Sequence, residues 1–280
     1  MAGFFRSPPR SHALNIVCIP PLGADASFFA HWLREARSLD SIAVQAIHLP
    51  GRGSRLLERP ISSMSDLADA IAEAMCDYAD QDYIILGCSM GGWVGYELCK
   101  RLAAISTNRP QQLIVCGSTA PGNCPTLPSF VPEGDEELVQ SLSAFGASFR
   151  IVAANAELLS LVLPAWRADL TLCVDWQADF ARPLDIPIKA VAGEDDDVAP
   201  ASLSRPWEKC TDKSFTIERV PGGHLFIQDL SIQEILHLAG VKNADQPLLD
   251  LRTLRGRGDD AIDKLSDQGI GYAGSENSSL

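Results

Sequence analysis

Short, mostly apolar runs recur along this chain, with helical stretches between them. The runs are LNIVCI (Leu14–Ile19), IAVQAIHL (Ile42–Leu49), YIIL (Tyr83–Leu86), QLIVC (Gln112–Cys116), IKAVA (Ile188–Ala192) and FTIERV (Phe215–Val220). A strand that alternates apolar and polar residues can leave one face in water, whereas a strand apolar throughout has to be covered on both faces. The intervening segments Phe28–Arg37, Ser65–Tyr78, Gly92–Leu102 and Gln233–Ala239 carry apolar residues three and four apart, which is helical spacing. Ser63 or Ser65 is placed to cap the second of these helices. This order predicts an α/β fold: a mostly parallel central sheet with helices on both faces. The alternation breaks at 129–181, where EELVQSLSAF and NAELLSLVLPAWRADLTLCVDW read as helices inserted between two strands. A helical insertion over the carboxyl edge of a sheet predicts a cap that shapes a substrate pocket.

The chain of 280 residues is read as one domain over 1–245 followed by a tail, 246–280. In the tail, Asp250–Asp267 is read as a loose helix and Gly271–Leu280, rich in serine and glycine, as disordered. The net charge of −13 argues against nucleic acid or an anionic membrane as partner. Without a signal-peptide pattern or a membrane-spanning stretch the protein is read as cytoplasmic. None of the eight cysteines forms a C-x-x-C pair, so metal and disulfide frameworks are not expected and the thiols are read as small buried hydrophobes. No cofactor is called for, and a monomer is expected.

The apolar run Tyr83–Leu86 ends in Gly87-Cys88-Ser89-Met90-Gly91, a G-x-S-x-G pentapeptide between a strand and a helix. A serine on such a turn exposes its hydroxyl above the sheet, and the helix that follows aims N–H groups and a positive dipole end at it. Serine is a weak nucleophile without a base, and the base needs an orienting acid. In chain order only His224 and His237 follow Ser89; His224 sits in the glycine turn VPGGHLF after the last strand, whereas His237 lies in the apolar helix QEILHLAG. The acid belongs after IKAVAG, where Glu194-Asp195-Asp196-Asp197 stand in a row; spacing from Gly193 favours Asp196, and counting back from Val198 favours Asp195. An oxyanion hole is expected from the backbone N–H of Met90 and from the loop Pro20-Pro21-Leu22-Gly23-Ala24, where Leu22 is the first residue with an N–H to give.

Together these stretches resemble the type II thioesterases of nonribosomal peptide and polyketide synthesis, stand-alone α/β-hydrolases. The resemblance runs from about Asn15 to Ala239 and rests on CIPPLGADASFFAHW, QAIHLPGRGSR, GCSMGGWVGYEL, LPAWRADL, AGEDDDVAP and PGGHLF in that order. It implies hydrolysis of acyl thioesters on the phosphopantetheine arm of acyl or peptidyl carrier proteins. Ser89 would attack, His224 would act as base and Asp196 would orient it, with no metal or other cofactor. The chain departs from the family where Cys88 replaces a histidine before the nucleophile, where Pro21 replaces an aromatic or histidine, and where Ala24-Asp25 replaces a small pair. A carboxylesterase or acyltransferase could use the same three residues, and a scaffold that had lost catalysis would keep the fold. Because carriers are acidic, docking is expected at a local patch drawing on Arg34, Arg37, Arg52, Arg55 or Arg59.

Overall fold

A computed structural model describes residues 3–146 and 148–241; the expectations for 246–280 lie outside the described residues. Six strands form one sheet: β1 (Leu14–Ile19), β2 (Ile42–Ala46), β3 (Tyr83–Cys88), β4 (Leu113–Cys116), β5 (Ile188–Gly193) and β6 (Phe215–Val220). Their spatial order is β2-β1-β3-β4-β5-β6 and every pairing is parallel. All six residues of β3 and all four of β4 are buried, as their unbroken apolar sequences require.

The chain moves outward from β1 to β2, then returns across β1 to pair β3. With right-handed crossovers, this reversal sends α1 (Ala30–Glu35) to one face and α2 (Met64–Ala74) and α3 (Met90–Ile105) to the other. Ser63 caps α2, its side chain accepting the Asp66 N–H. The reversal also opens a crevice at the carboxyl ends of β1 and β3, where ligands bind in open α/β sheets. The loop after β1 and the turn holding Ser89 both face that crevice.

The insertion between β4 and β5 contains α4 (Asp135–Leu142), α5 (Ser148–Ala153) and α6 (Ala156–Asp175). Asn155 caps α6 by accepting the Leu158 N–H, and the helix continues through Pro164. Leu138 and Leu142 of α4 and Trp166 and Leu170 of α6 join the core of the sheet, so the insertion is packed onto the body. The chain closes with α7 (Ala201–Ser204) and α8 (Ile232–Leu238), the latter capped reciprocally by Ser231 and Glu234.

Candidate active site

β3 ends at Cys88, and α3 begins two residues later at Met90. The helix therefore starts before the Gly92 expected from sequence. Ser89 between them has φ +50° and ψ −117°, a conformation that costs a non-glycine residue energy and is retained where surrounding contacts dictate it. One such contact is the Ser89 N–H, which donates to the Cys116 carbonyl at 2.9 Å. The flanking glycines are required by close approach. A β-carbon on Gly87 would run into the Gly91 carbonyl, and one on Gly91 into the Ile19 carbonyl.

Ser89 Oγ lies 3.1 Å from His224 Nε2. His224 Nδ1 lies 3.0 Å and 3.1 Å from the two carboxylate oxygens of Asp196. In the neutral tautomer that fits these contacts, Nδ1–H donates to Asp196 and Nε2 accepts the serine proton. Asp196 Oδ1 also accepts the N–H groups of Val198 at 2.9 Å and Ala199 at 2.8 Å. Burial works to raise the Asp196 pKa, but the hydrogen bond and charge of His224 and these two N–H groups outweigh it, so the carboxyl is held below its usual value. Asp195 and Asp197 are exposed, so of the two acids open from sequence it is Asp196 that faces the histidine. His237 lies on α8, apart from this group.

Two chambers meet at Ser89, sharing Leu22, Phe145 and His224 as well. The outer one, with a volume of about 300 Å³, opens past Pro21, Phe28, Phe149, Trp166 and Leu225. The inner one is a slot of about 30 Å³ lined by Trp93, Cys124, Leu127, Cys173 and Ala199. Pro21, a departure from the family loop, thus borders the outer chamber. Ala24 N–H donates to the Pro21 carbonyl at 3.1 Å, closing a tight turn with Gly23 at φ +77°. Leu22 lines both chambers, and its N–H makes no hydrogen bond among the described residues. Cys88 is buried, and burial pushes its thiol well above the usual value, so it supplies no thiolate here. All eight cysteines are free. Among the described residues, no group of metal-ligating side chains gathers and no helix is long and apolar enough to cross a membrane.

Two charged residues near the site escape the sequence reading. Arg52, expected on a docking surface, is buried and forks onto Asp169 of α6. The expectation is therefore corrected: the guanidinium turns inward to a carboxylate far away in sequence. Arg55 is also partly withdrawn, pairing with Glu58 and stacking on Phe4. Arg34, Arg37 and Arg59 are exposed.

The profile of the thioesterase domain family matches residues 15–238. The gramicidin S biosynthesis protein GrsT of Aneurinibacillus migulanus is 29% identical over 79% of this chain and 86% of its own. Among solved structures, RedJ, a thioesterase from the prodiginine pathway of Streptomyces coelicolor, is 32% identical and superposes with a TM-score of 0.69 over 84% of this chain and 87% of its own. BorB, a type II thioesterase from the borrelidin biosynthetic cluster, is 26% identical, with a TM-score of 0.70 over 85% of this chain and 96% of its own.

Proposed function

We propose that this chain, which belongs to the thioesterase family and has its α/β-hydrolase fold, hydrolyses acyl thioesters held on the phosphopantetheine arm of carrier proteins. The observation that carries the reading is the line from Asp196 through His224 to Ser89 Oγ, ending where a narrow slot meets an open chamber. The outer chamber suits the pantetheine arm. The slot is small and apolar and suits a short acyl group without polar substituents. The biosynthetic relatives support a carrier-bound substrate.

In this mechanism Ser89 Oγ attacks the thioester carbonyl while His224 Nε2 takes its proton. Asp196 holds the imidazole in the tautomer that leaves Nε2 free and stabilises the imidazolium that forms. The Met90 N–H at the start of α3 and the Leu22 N–H stabilise the oxyanion. The tetrahedral adduct collapses with cleavage of the C–S bond, and the leaving sulfur takes the proton from His224. Water then loses a proton to His224 as it attacks the Ser89 ester, releasing the carboxylic acid and restoring the serine. The three residues come from one chain, so a monomer suffices. Eight free thiols suit the reducing cytoplasm in which we place the enzyme.

The test is release of an acetyl group from a phosphopantetheinylated carrier by wild type and Ser89→Ala, with acetyl-CoA and p-nitrophenyl acetate alongside. The reading expects Ser89-dependent release from the carrier at a higher kcat/KM than from the free substrates. Turnover of the ester with an inert carrier thioester would replace it with the esterase or acyltransferase reading, and no Ser89-dependent turnover of any substrate would favour a scaffold.

A further inference from the structure

The two stretches LPGRGSR and LPAWRADL, separate in sequence, meet inside the molecule through Arg52 and Asp169. Arg52 Nη1 lies 2.5 Å from Asp169 Oδ2 and Nη2 lies 2.7 Å from Oδ1, a two-pronged ion pair whose side chains are 8% and 2% exposed. Asp169 Oδ2 accepts a third hydrogen bond, from the Gly23 N–H at 2.8 Å. Arg52 Nη1 also reaches the Ala24 carbonyl at 3.5 Å. An ion pair joining the loop after β2 to the cap helix α6 therefore grips the turn that follows β1.

Its location bears on the chemistry. Asp169 engages the N–H next along the chain from Leu22, a residue that lines the chamber beside Ser89 and whose own N–H has no acceptor among the described residues. Trp166, one turn earlier on α6, covers the same turn: a β-carbon on Gly23 would lie 2.8 Å from its Nε1 and 3.0 Å from Phe149. Stability alone is a poor account of the pair. Buried ion pairs lose much of their Coulomb attraction to desolvation, and Arg52 Nε is buried with no partner among the described residues. What a forked pair supplies is direction. Arg52 also cancels the Asp169 charge, so no net negative charge faces an oxyanion forming nearby.

We propose that Arg52 and Asp169 are positioning residues: through the Gly23 N–H they fix the β1 turn so that the Leu22 N–H faces the oxyanion at Ser89. Because Asp169 belongs to α6, the oxyanion site is complete only when the cap helix is seated. The inference rests on Ser89 being the nucleophile, not on the substrate being carrier-bound. The test therefore uses p-nitrophenyl acetate, corrected for Ser89→Ala background, and a trifluoromethyl ketone that adds to serine as an anionic hemiketal.

In the double variant Arg52→Met/Asp169→Leu the ion pair becomes apolar, a change that buried pairs often tolerate. The expected result is wild-type thermal stability, a kcat lowered about 10- to 100-fold with KM nearly unchanged, and ketone affinity lowered by the same factor as kcat/KM. Arg52→Met/Asp169→Asn restores an acceptor for Gly23 N–H without a charge and should recover much of the lost kcat. Unchanged kcat and ketone affinity in the leucine variant would overturn the proposal. So would a loss of kcat that follows the loss of thermal stability and is not recovered by asparagine. Should the leucine variant not fold, Arg52→Lys decides, because it keeps the charge but loses the fork, and a ketone affinity at the wild-type value would overturn the proposal. Failure of the carrier assay, with these esterase and ketone results intact, would count against the carrier substrate and leave the pair's role standing.

Discussion

The sheet and the cap hold their side chains in different ways. Ser89 follows β3, Asp196 follows β5 and His224 follows β6, so each member of the proposed triad stands just beyond the carboxyl end of a parallel strand. The turns that carry them are tied by main-chain bonds, among them Ser89 N–H to Cys116, Glu194 N–H to Val220 and Asp195 N–H to Gly222. The cap is more exposed. Of the nine large apolar side chains exposed among the described residues, five lie between 129 and 181: Phe130, Ile151, Leu158, Leu161 and Phe180. On the proposed reading the contrast separates the work: the sheet fixes Ser89, His224 and Asp196, and the helical insertion bounds the chamber beside them. Substitutions at the strand ends should act on kcat, and those along the chamber walls on which acyl group is accepted.

The largest effect belongs to Ser89→Ala and His224→Ala. Each should lower kcat by about 10⁶-fold, and the double variant by little more, because nucleophile and base act as one unit. A double variant slower by the product of the single effects would show that the two residues act separately. Asp196→Asn comes next, at about 10⁴-fold, through the wrong imidazole tautomer. The aspartate also carries a pH signature. A carboxyl with a depressed folded pKa stabilises the fold fully above its unfolded value of about 3.9, and that stabilisation is lost as pH falls through the folded value. Wild type should therefore outlast Asp196→Asn in thermal melts at pH 7, with the gap closing as acid is added below pH ~4. A gap independent of pH would mean that the carboxylate charge is not what the fold stabilises.

Gly91→Ala should follow, with kcat lowered about 100-fold. The added carbon meets the Ile19 carbonyl at the end of β1, which is paired on both sides, so the serine turn has to shift instead. Normal kcat in this variant would mean that the elbow is less rigid than its backbone contacts imply.

What could be read in the sequence follows the same division. Short apolar strands and the serine turn are dictated by local residues, so the succession of strands along the chain and the approximate place of Ser89 are open to inspection, whereas the spatial order of the strands is not. Chain order then favoured His224 over His237. Spacing from Gly193 favours Asp196, but a run of three aspartates leaves the choice against Asp195 open. It is made by the turn itself, in which Asp196 bonds the N–H groups of Val198 and Ala199 and points inward while Asp195 stays exposed. Arg52 is the opposite case: its partner lies 117 residues away, and nothing beside it in sequence distinguishes an inward guanidinium from a solvated one. The one local sign is Asp169 itself, a carboxylate beside Ala168 and Leu170 on a largely apolar helix. The sequence reading starts α3 at Gly92, two residues after its observed start at Met90; Gly91 and Gly92 sit in its first turn, where they approach Ile19 and Ser118 closely.

On the chamber wall, Leu127→Ala should change selectivity rather than rate. Leu127 lines the inner slot beside Cys124 and Cys173. Removing its branched end should raise kcat/KM for butyryl over acetyl thioesters by about 10-fold or more, the scale that a methylene or two commands in an apolar pocket. Acetyl turnover should be nearly unchanged. An unaltered chain-length profile would place the acyl group in the outer chamber.

The smallest effect is expected at Cys88, although it adjoins the nucleophile. Its side chain lies in β3, where Cys88 pairs in register with Cys116, and burial keeps its thiol protonated. It makes no hydrogen bond to Ser89, His224 or Asp196. Cys88→Ala should therefore lower stability by about 1 kcal/mol, the usual cost of a small buried deletion. Esterase kcat should match wild type, and iodoacetamide should leave the activity of both proteins intact while labelling the exposed Cys76. Loss of kcat in the alanine variant without loss of stability would assign Cys88 to the chemistry, and would remove the distinction drawn here between residues that pack β3 and residues that stand beyond its end.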